Sequence, residues 1–365
     1  MKTFKTFITE AYDFFPTKAD AIPKVLKDWP KEKVNDVVKL FNFLKKKDPT
    51  PINIDLSKEN EVNIIRPLKG GSLDLDGIIS GSGITTFRLK WGNGSSGNRG
   101  ANNRGNAFEG EFADALYDWF EKGDEAVKDD KILAAILDLD KEYNLSGAKE
   151  MWVDVVGGEN TRRPLKYASN SITLVNTKGS GLDIGANVTD ITITPDNGKD
   201  IYLSLKFETT TTFFNVGTTK AIKKDEVKAG EIKHKDGKAI LKMFGIENKR
   251  FCKIFTDKKP KGKAIKTKPN KKMIQGLLQS GIGHGYHVIH KTKGKVISKK
   301  MDAKAMKAAA NVGDCIVYYG GKTGTGRRVD MVMQSADYTF KLNIRDTQGK
   351  DGLPNRMMCD FSYNK

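Results

Sequence analysis

Four polar side chains stand at short intervals near the middle of the chain: Asp190, Ser204, Lys206 and Glu208. Carboxylate oxygens are the ligands that Mg²⁺ prefers, and a neighbouring lysine can orient water or offset negative charge that develops during a reaction. A divalent cation held by such a group activates water and screens a phosphate. These residue types therefore predict metal-dependent hydrolysis of a phosphodiester bond.

A β-hairpin over residues 188–208 would bring these side chains together. Apolar and polar residues alternate in ITIT and again in IYLSLKFE, and Pro195–Gly198 between them is a turn signal. With the turn centred near Asn197 and Gly198, Asp190 lies across from position 205 or 206. Side-chain parity favours position 206, which requires an odd number of loop residues or a bulge.

An aspartate, a turn and then a strand with an acidic-x-lysine pattern resemble the signature of the PD-(D/E)xK nucleases. The 14-residue step from Asp190 to Ser204 suits the hairpin of that family. Its members often carry a helical glutamate upstream, in a Gly-x-x-Phe-Glu pattern, and Gly105–Glu109 is similar to it. The resemblance covers about residues 105–220. It implies an α/β fold, with a PD-(D/E)xK-like mixed sheet core flanked by helices.

The resemblance also implies an activity, that of a Mg²⁺-dependent endodeoxyribonuclease in which Mn²⁺ can replace Mg²⁺. Glu109 and Asp190 would bind one or two metal ions, and Glu208 would supply a further carboxylate. Lys206 would orient or activate the attacking water. Glu111 ranks below Glu109, because two residues along a helix it faces another side.

Two positions depart from the pattern of the family. Thr189 stands where the motif has proline, and Ser204 stands where it has a second acid. Either Glu208 supplies the missing oxygen, or the metal rests on Glu109 and Asp190 alone, or catalysis has been lost. The last case gives the alternative function: a non-catalytic nucleic-acid-binding protein, such as a virion or packaging component, on a degenerate nuclease scaffold.

Each candidate residue taken singly also fits a purely structural role. Asp190 could cap a strand, Lys206 could be an exposed strand lysine, and Glu109 could be a first-turn acid that the helix dipole favours. Their joint spacing is what favours the catalytic interpretation.

The positive charge of the chain is concentrated in one block. Residues 219–300 hold 24 Lys and Arg against 6 Asp and Glu, which equals the formal net charge of +18 of the whole chain. Such a block attracts polyanions through counterion release, although a solubilising surface or a contact for an acidic protein has a similar composition. We expect salt-sensitive, largely sequence-tolerant DNA binding. The residues expected to contact nucleic acid are Lys220, Lys223, Lys224, Lys271, Lys272 and Gln275.

The sequence divides into four segments by its pattern and composition. Residues 1–48 predict a helical N-terminal region, and residues 49–104 predict a strand pair and a mobile Gly/Asn-rich loop. Residues 105–300 would form the nuclease-like core with the basic block, and residues 301–365 a β-rich segment, so that the basic C-terminal part is α+β. The amphipathic run AFEGEFADALYDWFEKG, residues 107–123, predicts a helix, and further helices are predicted at about 124–142, 237–256, 269–280 and 302–311.

Other function classes are disfavoured by the sequence. No apolar run is long enough to span a membrane, and three distant cysteines fit a reducing cytoplasm. We expect no nucleotide cofactor, because no helical pattern follows the glycines of Gly92–Gly97, and Gly320–Thr323 lacks the first glycine of a phosphate-binding loop.

Three clustered histidines and the two ends of the chain complete the sequence evidence. Strand parity puts His287 on the opposite side from His284 and His290, which favours packing over a zinc site, with DNA contact as an alternative. The ends, MKTFKTFITEA and NIRDTQGKDGLPNRMMCDFSY, resemble the ends of proteins from large tailed phages. That origin would place the protein in the cytoplasm of a host cell. A homodimer is left open.

Overall fold

The structure is a computed structural model that describes most of the chain from residue 53 onward. The described residues are 53–55, 61–68, 71–80, 83–91, 104–149, 151–155, 163–176, 181–208, 211–292, 294–346 and 351–364, with single positions at 23, 31, 34, 35, 38 and 42. The predicted N-terminal helices lie outside them except for those six positions, which are helical. The predicted Gly/Asn-rich loop lies outside them almost entirely.

The described residues form a mixed α/β fold, as the sequence predicts. The strands are β1 (Asn53–Asp55), β2 (Glu61–Leu68), β3 (Gly71–Ser80), β4 (Gly83–Trp91), β5 (Met151–Val155), β6 (Leu165–Ala168), β7 (Ser171–Leu174), β8 (Ile191–Pro195), β9 (Ile201–Phe207), β10 (Thr211–Gly217), β11 (Ala264–Thr267), β12 (Tyr286–Thr292), β13 (Lys295–Met301), β14 (Cys315–Tyr319), β15 (Arg328–Gln334), β16 (Tyr338–Arg345) and β17 (Arg356–Tyr363). The helices are α1 (Arg104–Lys122), α2 (Asp130–Tyr143), α3 (Gly185–Val188), α4 (Lys224–Lys228), α5 (Lys235–Phe244), α6 (Asn248–Thr256), α7 (Lys271–Ile282) and α8 (Ala303–Ala310).

The chain divides into two compact units, and each consists of three separate stretches. Unit 1 comprises Met1–Glu159, Thr189–Phe207 and His287–Lys299. Unit 2 comprises Asn160–Val188, Glu208–Tyr286 and Lys300–Lys365.

Unit 1 is built on a nine-stranded sheet in the order β1-β2-β3-β4-β5-β8-β9-β12-β13. Strands β1 to β4 pair antiparallel in sequence order, so the structure has four strands where the sequence predicts one pair. Strand β5 runs parallel to β4, and β8 and β9 continue antiparallel from it. Strand β12 then pairs parallel with β9. The predicted hairpin therefore lies inside the sheet, with a neighbouring strand on each side.

Helix α1 packs against β4, β5, β9 and α2. Its apolar side chains recur at helical spacing, and Phe108, Phe112, Leu116 and Trp119 are all buried. They join the apolar side chains of β8 and β9 in one core. This packing fixes the orientation of α1, and therefore the position of Glu109, relative to the β8-β9 hairpin.

Unit 2 contains a six-stranded antiparallel sheet in the order β10-β17-β16-β15-β14-β11 and the β6-β7 hairpin. The single helix predicted at 237–256 is two helices. Helix α5 ends at Gly245, whose φ of 69° is in the left-handed region that glycine adopts without strain. Helix α6 begins after Glu247, whose side chain accepts hydrogen bonds from the backbone N–H groups of Lys249 and Arg250.

The C-terminal end of α7 is capped by Arg163, which is buried. The guanidinium donates to the carbonyl oxygens of Ser280 and Gly281, which the helix itself leaves without partners. Burial lowers the pKa of Arg163 to about 10, and the side chain remains cationic at neutral pH. A cation at this end of a helix is favoured by the helix dipole.

Candidate active site

The register of β8 and β9 determines which residue faces Asp190. The paired residues are Ile191 with Leu203, Thr192 with Tyr202, and Ile193 with Ile201. Extending this register places Asp190 across from Ser204, so the prediction of position 206 is two residues too far along β9. The parity of the prediction is right, because an odd number of residues separates the last pair. The last pair, Ile193 with Ile201, centres the hairpin on Asn197, whereas the expected pairing of Asp190 with position 206 would centre it on Gly198.

Asp190 reaches Lys206 despite this shift. Its Oδ2 atom accepts hydrogen bonds from the backbone N–H of Leu205, at 2.7 Å, and from the hydroxyl of Ser204, at 3.3 Å. The Nζ atom of Lys206 lies 3.6 Å from the same oxygen. Among the residues that the structure describes, Oδ1 of Asp190 has no hydrogen-bond or ion-pair partner. One carboxylate oxygen is thus held by the protein, and the other remains available to a ligand.

The position of Asp190 depends on the backbone around it. Its own N–H donates to the carbonyl of Leu203 at 2.7 Å. The hydroxyl of the preceding Thr189 donates to the carbonyl of Ile191 at 2.6 Å, and it lies 3.4 Å from the carbonyl of Leu203. Thr189 stands where the family motif has proline, and these contacts tie the start of the hairpin to β9.

Glu109 extends the group from helix α1. Burial, and after it the negative charge of Asp190, raises the pKa of Glu109 to about 8, and the positive charge of Lys206 partly opposes both effects. The charges of Asp190 and Lys206 therefore both act on Glu109. Its carboxyl group is protonated at neutral pH when no metal cation is bound. A divalent cation would favour the ionised form of Glu109.

These residues fit a divalent cation that keeps much of its water. Glu109 and Asp190 offer carboxylate oxygens from two different elements, and the hydroxyl of Ser204 lies beside Asp190. Within the described ranges there is no group of three or more His, Cys, Asp or Glu side chains placed to hold a metal ion. Mg²⁺ usually retains several waters and needs only one or two carboxylates from the protein.

The strand pattern from which Glu208 was expected to supply a further carboxylate does not extend to Glu208. Strand β9 ends at Phe207, and Glu208 follows with a φ of 73°, outside the extended conformation. In a strand, Glu208 would share a face with Lys206, two residues before it. The strand ends at Phe207, so this alternation does not apply to Glu208. Glu208 accordingly belongs to no described three-carboxylate group. Ser204, in the second acidic position of the motif, is only 2% exposed.

A second charged group on α1 lies next to Glu109 in sequence. Lys291 on β12 contacts Glu111 at 2.7 Å and Asp129 at 3.3 Å, and its ammonium lies 5.5 Å from the ring centre of Phe108. Asp129 is also the N-cap of α2. Lys291 therefore links β12 to α1 and to the start of α2. The sequence indicated that Glu111 faces away from Glu109, but Lys291 lies 180 residues further along, so no local pattern predicted its contact with Glu111.

The residues predicted to bind nucleic acid lie in unit 2 and differ in their surroundings. Lys271 and Lys272 are exposed in the first turn of α7, whereas Gln275 donates to the Oδ1 atom of Asn311 at 3.2 Å. Lys224 forms an ion pair with Asp351 at 2.5 Å. The two remaining lysines, Lys220 and Lys223, lie in and after the turn that precedes α4.

Two of the clustered histidines are buried in β12. His287 lies 2.8 Å from the hydroxyl of Ser298 and meets the ring of Tyr143 edge to face. His290 is 1% exposed and pairs with Lys206 in the register of β9 and β12. Their surroundings support the packing interpretation. Gly320 and Gly321, which the sequence places in a hairpin loop, lie between β14 and β15 with positive φ.

Comparison with known proteins finds no matching family model, no matching curated protein and no matching solved structure. None of the helices in the described part of the chain has the length and apolar character needed to cross a membrane.

Proposed function

We propose that this chain is a Mg²⁺-dependent endonuclease that hydrolyses phosphodiester bonds in DNA, with its active site at Glu109, Asp190 and Lys206. The carrying observation is the convergence of Asp190 and Lys206 from the two strands of one hairpin, at 3.6 Å, under the electrostatic influence of a helical glutamate. A mixed sheet against which α1 packs agrees with the architecture that the PD-(D/E)xK resemblance implies.

Each residue has a distinct role in this proposal. Mg²⁺, when bound, supplies a Lewis acid that screens the phosphate and lowers the pKa of water. Asp190 would be one carboxylate ligand of the cation. Glu109, in its ionised form, would be the second. Lys206 orients the attacking water and stabilises negative charge that develops on the phosphate.

The alternative is a non-catalytic nucleic-acid-binding protein on a degenerate nuclease scaffold. The observation that favours it is the one missing acid: Ser204 stands in its place, and β9 ends before Glu208, the residue expected to compensate. The basic composition of residues 219–300 suits either function, so only the presence of cleavage separates them.

Plasmid cleavage tests the proposal. Supercoiled DNA is incubated with the protein in Mg²⁺ or in EDTA, and Asp190→Asn and Lys206→Met are compared with Asp196→Asn and Lys199→Met from the turn of the same hairpin. Asp196 is a matched control for Asp190, because its carboxylate also accepts a backbone N–H, from Lys149 at 2.9 Å. We expect both site variants to lose at least about a hundredfold in rate and both controls to retain cleavage.

The assay also decides against the proposal if wild-type protein cleaves no DNA form, whether supercoiled, linear, branched or single-stranded, with Mg²⁺ or Mn²⁺. Retained DNA binding in that case would favour the non-catalytic alternative. Circular dichroism of each variant establishes that loss of cleavage does not arise from unfolding.

A further inference from the structure

A cationic cleft lies within unit 2, away in sequence from every residue of the proposed active site. The cleft has a volume of about 450 Å³ and lies between α6 and the loop that follows it. Five basic and two acidic side chains line it, together with Ile254: Lys249, Arg250, Lys253, Lys259, Lys261, Glu247 and Asp257. All of these residues lie within the basic block of residues 219–300.

The loop wall of the cleft is fixed by buried backbone. Pro260, between the two loop lysines, is buried, and the N–H of Gly262 donates to the carbonyl of Gly324 at 2.7 Å. A side chain at Gly262 would collide with the carbonyl of Tyr319, so the close approach requires glycine. Lys259 and Lys261 are therefore presented from a fixed segment.

The helix wall is fixed by a tyrosine. The guanidinium of Arg250 lies 4.4 Å from the ring centre of Tyr319, a cation–π arrangement, and the hydroxyl of that tyrosine accepts the N–H of Glu247 at 2.9 Å. The carboxylate of Glu247 is used to cap α6, at 2.9 and 2.7 Å from two backbone nitrogens. In the part of the chain that the structure describes, none of the five basic side chains forms an ion pair.

We propose that this cleft binds the phosphate backbone of a nucleic acid. Unpaired cations on two fixed walls favour a polyanion, and the planar guanidinium of Arg250 matches a phosphate group. A protein partner would need exposed apolar or aromatic anchors. The cleft offers none, because Ile254 and Tyr319 are each 2% exposed. The absence of an exposed aromatic surface also predicts backbone binding without base stacking, and hence little sequence preference.

This inference stands apart from the proposed hydrolysis, because it concerns binding in unit 2 and needs no metal ion. It is tested in EDTA, where cleavage by the proposed active site is absent. Failure of this test leaves the cleavage assay unaffected, and failure of the cleavage assay leaves this test unaffected.

Fluorescence anisotropy with a 30-base-pair DNA duplex at several salt concentrations measures the binding. The triple variant Lys249→Gln, Lys253→Gln, Lys261→Gln is compared with the charge-matched triple variant Lys238→Gln, Lys304→Gln, Lys307→Gln, whose lysines are also exposed in unit 2. We expect the cleft variant to weaken binding at least about tenfold and to lower the slope of log affinity against log salt by about 2 to 3. The control variant should change both values much less.

A second test uses the wild-type protein alone, so its result does not depend on whether a variant folds. Lysine acetylation followed by mass spectrometry, with and without the duplex, should show protection of Lys249, Lys253, Lys259 and Lys261, and less protection of Lys238, Lys304 and Lys307. Equal effects of the two triple variants, or equal protection of the two lysine sets, would overturn the proposal. Competition of the duplex by polyglutamate at equal charge concentration would also overturn it, in favour of an acidic polypeptide.

Discussion

The carboxylate of Asp190 is held by the backbone N–H of Leu205 on the neighbouring strand, 2.7 Å from its Oδ2 atom. A backbone donor is retained in every substitution of its own residue except proline. Lys206, one residue further along β9, reaches the same oxygen. This backbone contact therefore sets the geometry of the proposed active site, and the predictions below concern the residues around it.

Restoring the missing acid at position 204 should tighten metal binding. The hydroxyl of Ser204 lies 3.3 Å from Oδ2 of Asp190, so an aspartate there would place a further carboxylate beside the proposed cation site. For Ser204→Asp we expect the Mg²⁺ concentration that gives half-maximal cleavage to fall by roughly tenfold. Ser204→Asn, which is similar in size and neutral, is the control. Equal Mg²⁺ requirements for the two variants would contradict the placement of the cation.

Glu109 should make the stability of the metal-free protein depend on pH. Its pKa is about 8 in the folded state, mainly because of burial, against an ordinary value of 4.5. The folded state therefore holds the proton more tightly, and the resulting stabilisation is complete below pH 4.5 and lost as the pH rises to 8. The effect is on the order of a few kcal/mol. Thermal melting in EDTA should show that Glu109→Gln reduces the loss of stability over this range.

Glu125→Gln is the matched control for that experiment, because Glu125 is an exposed glutamate in the same unit. It should melt with the pH dependence of the wild type. If Glu109→Gln behaves in the same way as this control, the raised pKa of Glu109 is wrong.

Lys291 should contribute to stability through both of its acidic partners. It lies between Glu111 on α1 and Asp129 at the start of α2, and all three side chains are partly exposed. Because solvent screens such pairs, we expect Lys291→Met to lower the free energy of unfolding by only about 1 kcal/mol. A double-mutant cycle with Glu111→Gln, measured by urea denaturation, should give a coupling energy above zero. An additive result would show that the ion pair contributes nothing.

Arg163 should be important for the stability of unit 2. Its guanidinium satisfies two carbonyl oxygens at the end of α7, and Arg163→Met would leave both without that donor in a buried environment. We expect a loss of about 2 kcal/mol or more in the free energy of unfolding, measured by urea denaturation. Lys166→Met, at an exposed position on the nearby β6, should cost much less. Similar losses for the two variants would contradict the capping role.

Local sequence patterns predicted the elements that carry the proposed site. The apolar spacing of α1 and the alternation around the turn of the β8-β9 hairpin were sufficient, because each signal lies within about twenty residues. Those patterns placed Glu109 on a helix and Asp190 and Lys206 on adjacent chain segments. The mixed α/β class follows from the same elements.

Details that depend on tertiary pairing could not be predicted in this way. The register at Asp190 is two residues from the expected one, because the hairpin is centred on Asn197 and the turn signal at Pro195–Gly198 does not by itself distinguish Asn197 from Gly198 as the centre. Strand β12 pairs with β9 only after a long intervening stretch, so neither the burial of His290 nor the contact of Lys291 with Glu111 has a local signal. Gly245 is different: a glycine just beyond an apolar helical run is a recognised stop signal, and it could have divided the predicted helix at 237–256.

The chain passes back and forth between its two units, which affects both its folding during translation and the design of truncated versions. Once translation has passed Phe207, Glu109, Asp190 and Lys206 have all been synthesised. Strand β12, which pairs with the other edge of β9, returns to unit 1 only after the stretch Glu208–Tyr286. Until then the nascent β9 exposes unpaired N–H and C=O groups, which are a template for aggregation. No single truncation can separate the units cleanly, and shortened versions ending before His287 should accumulate in inclusion bodies.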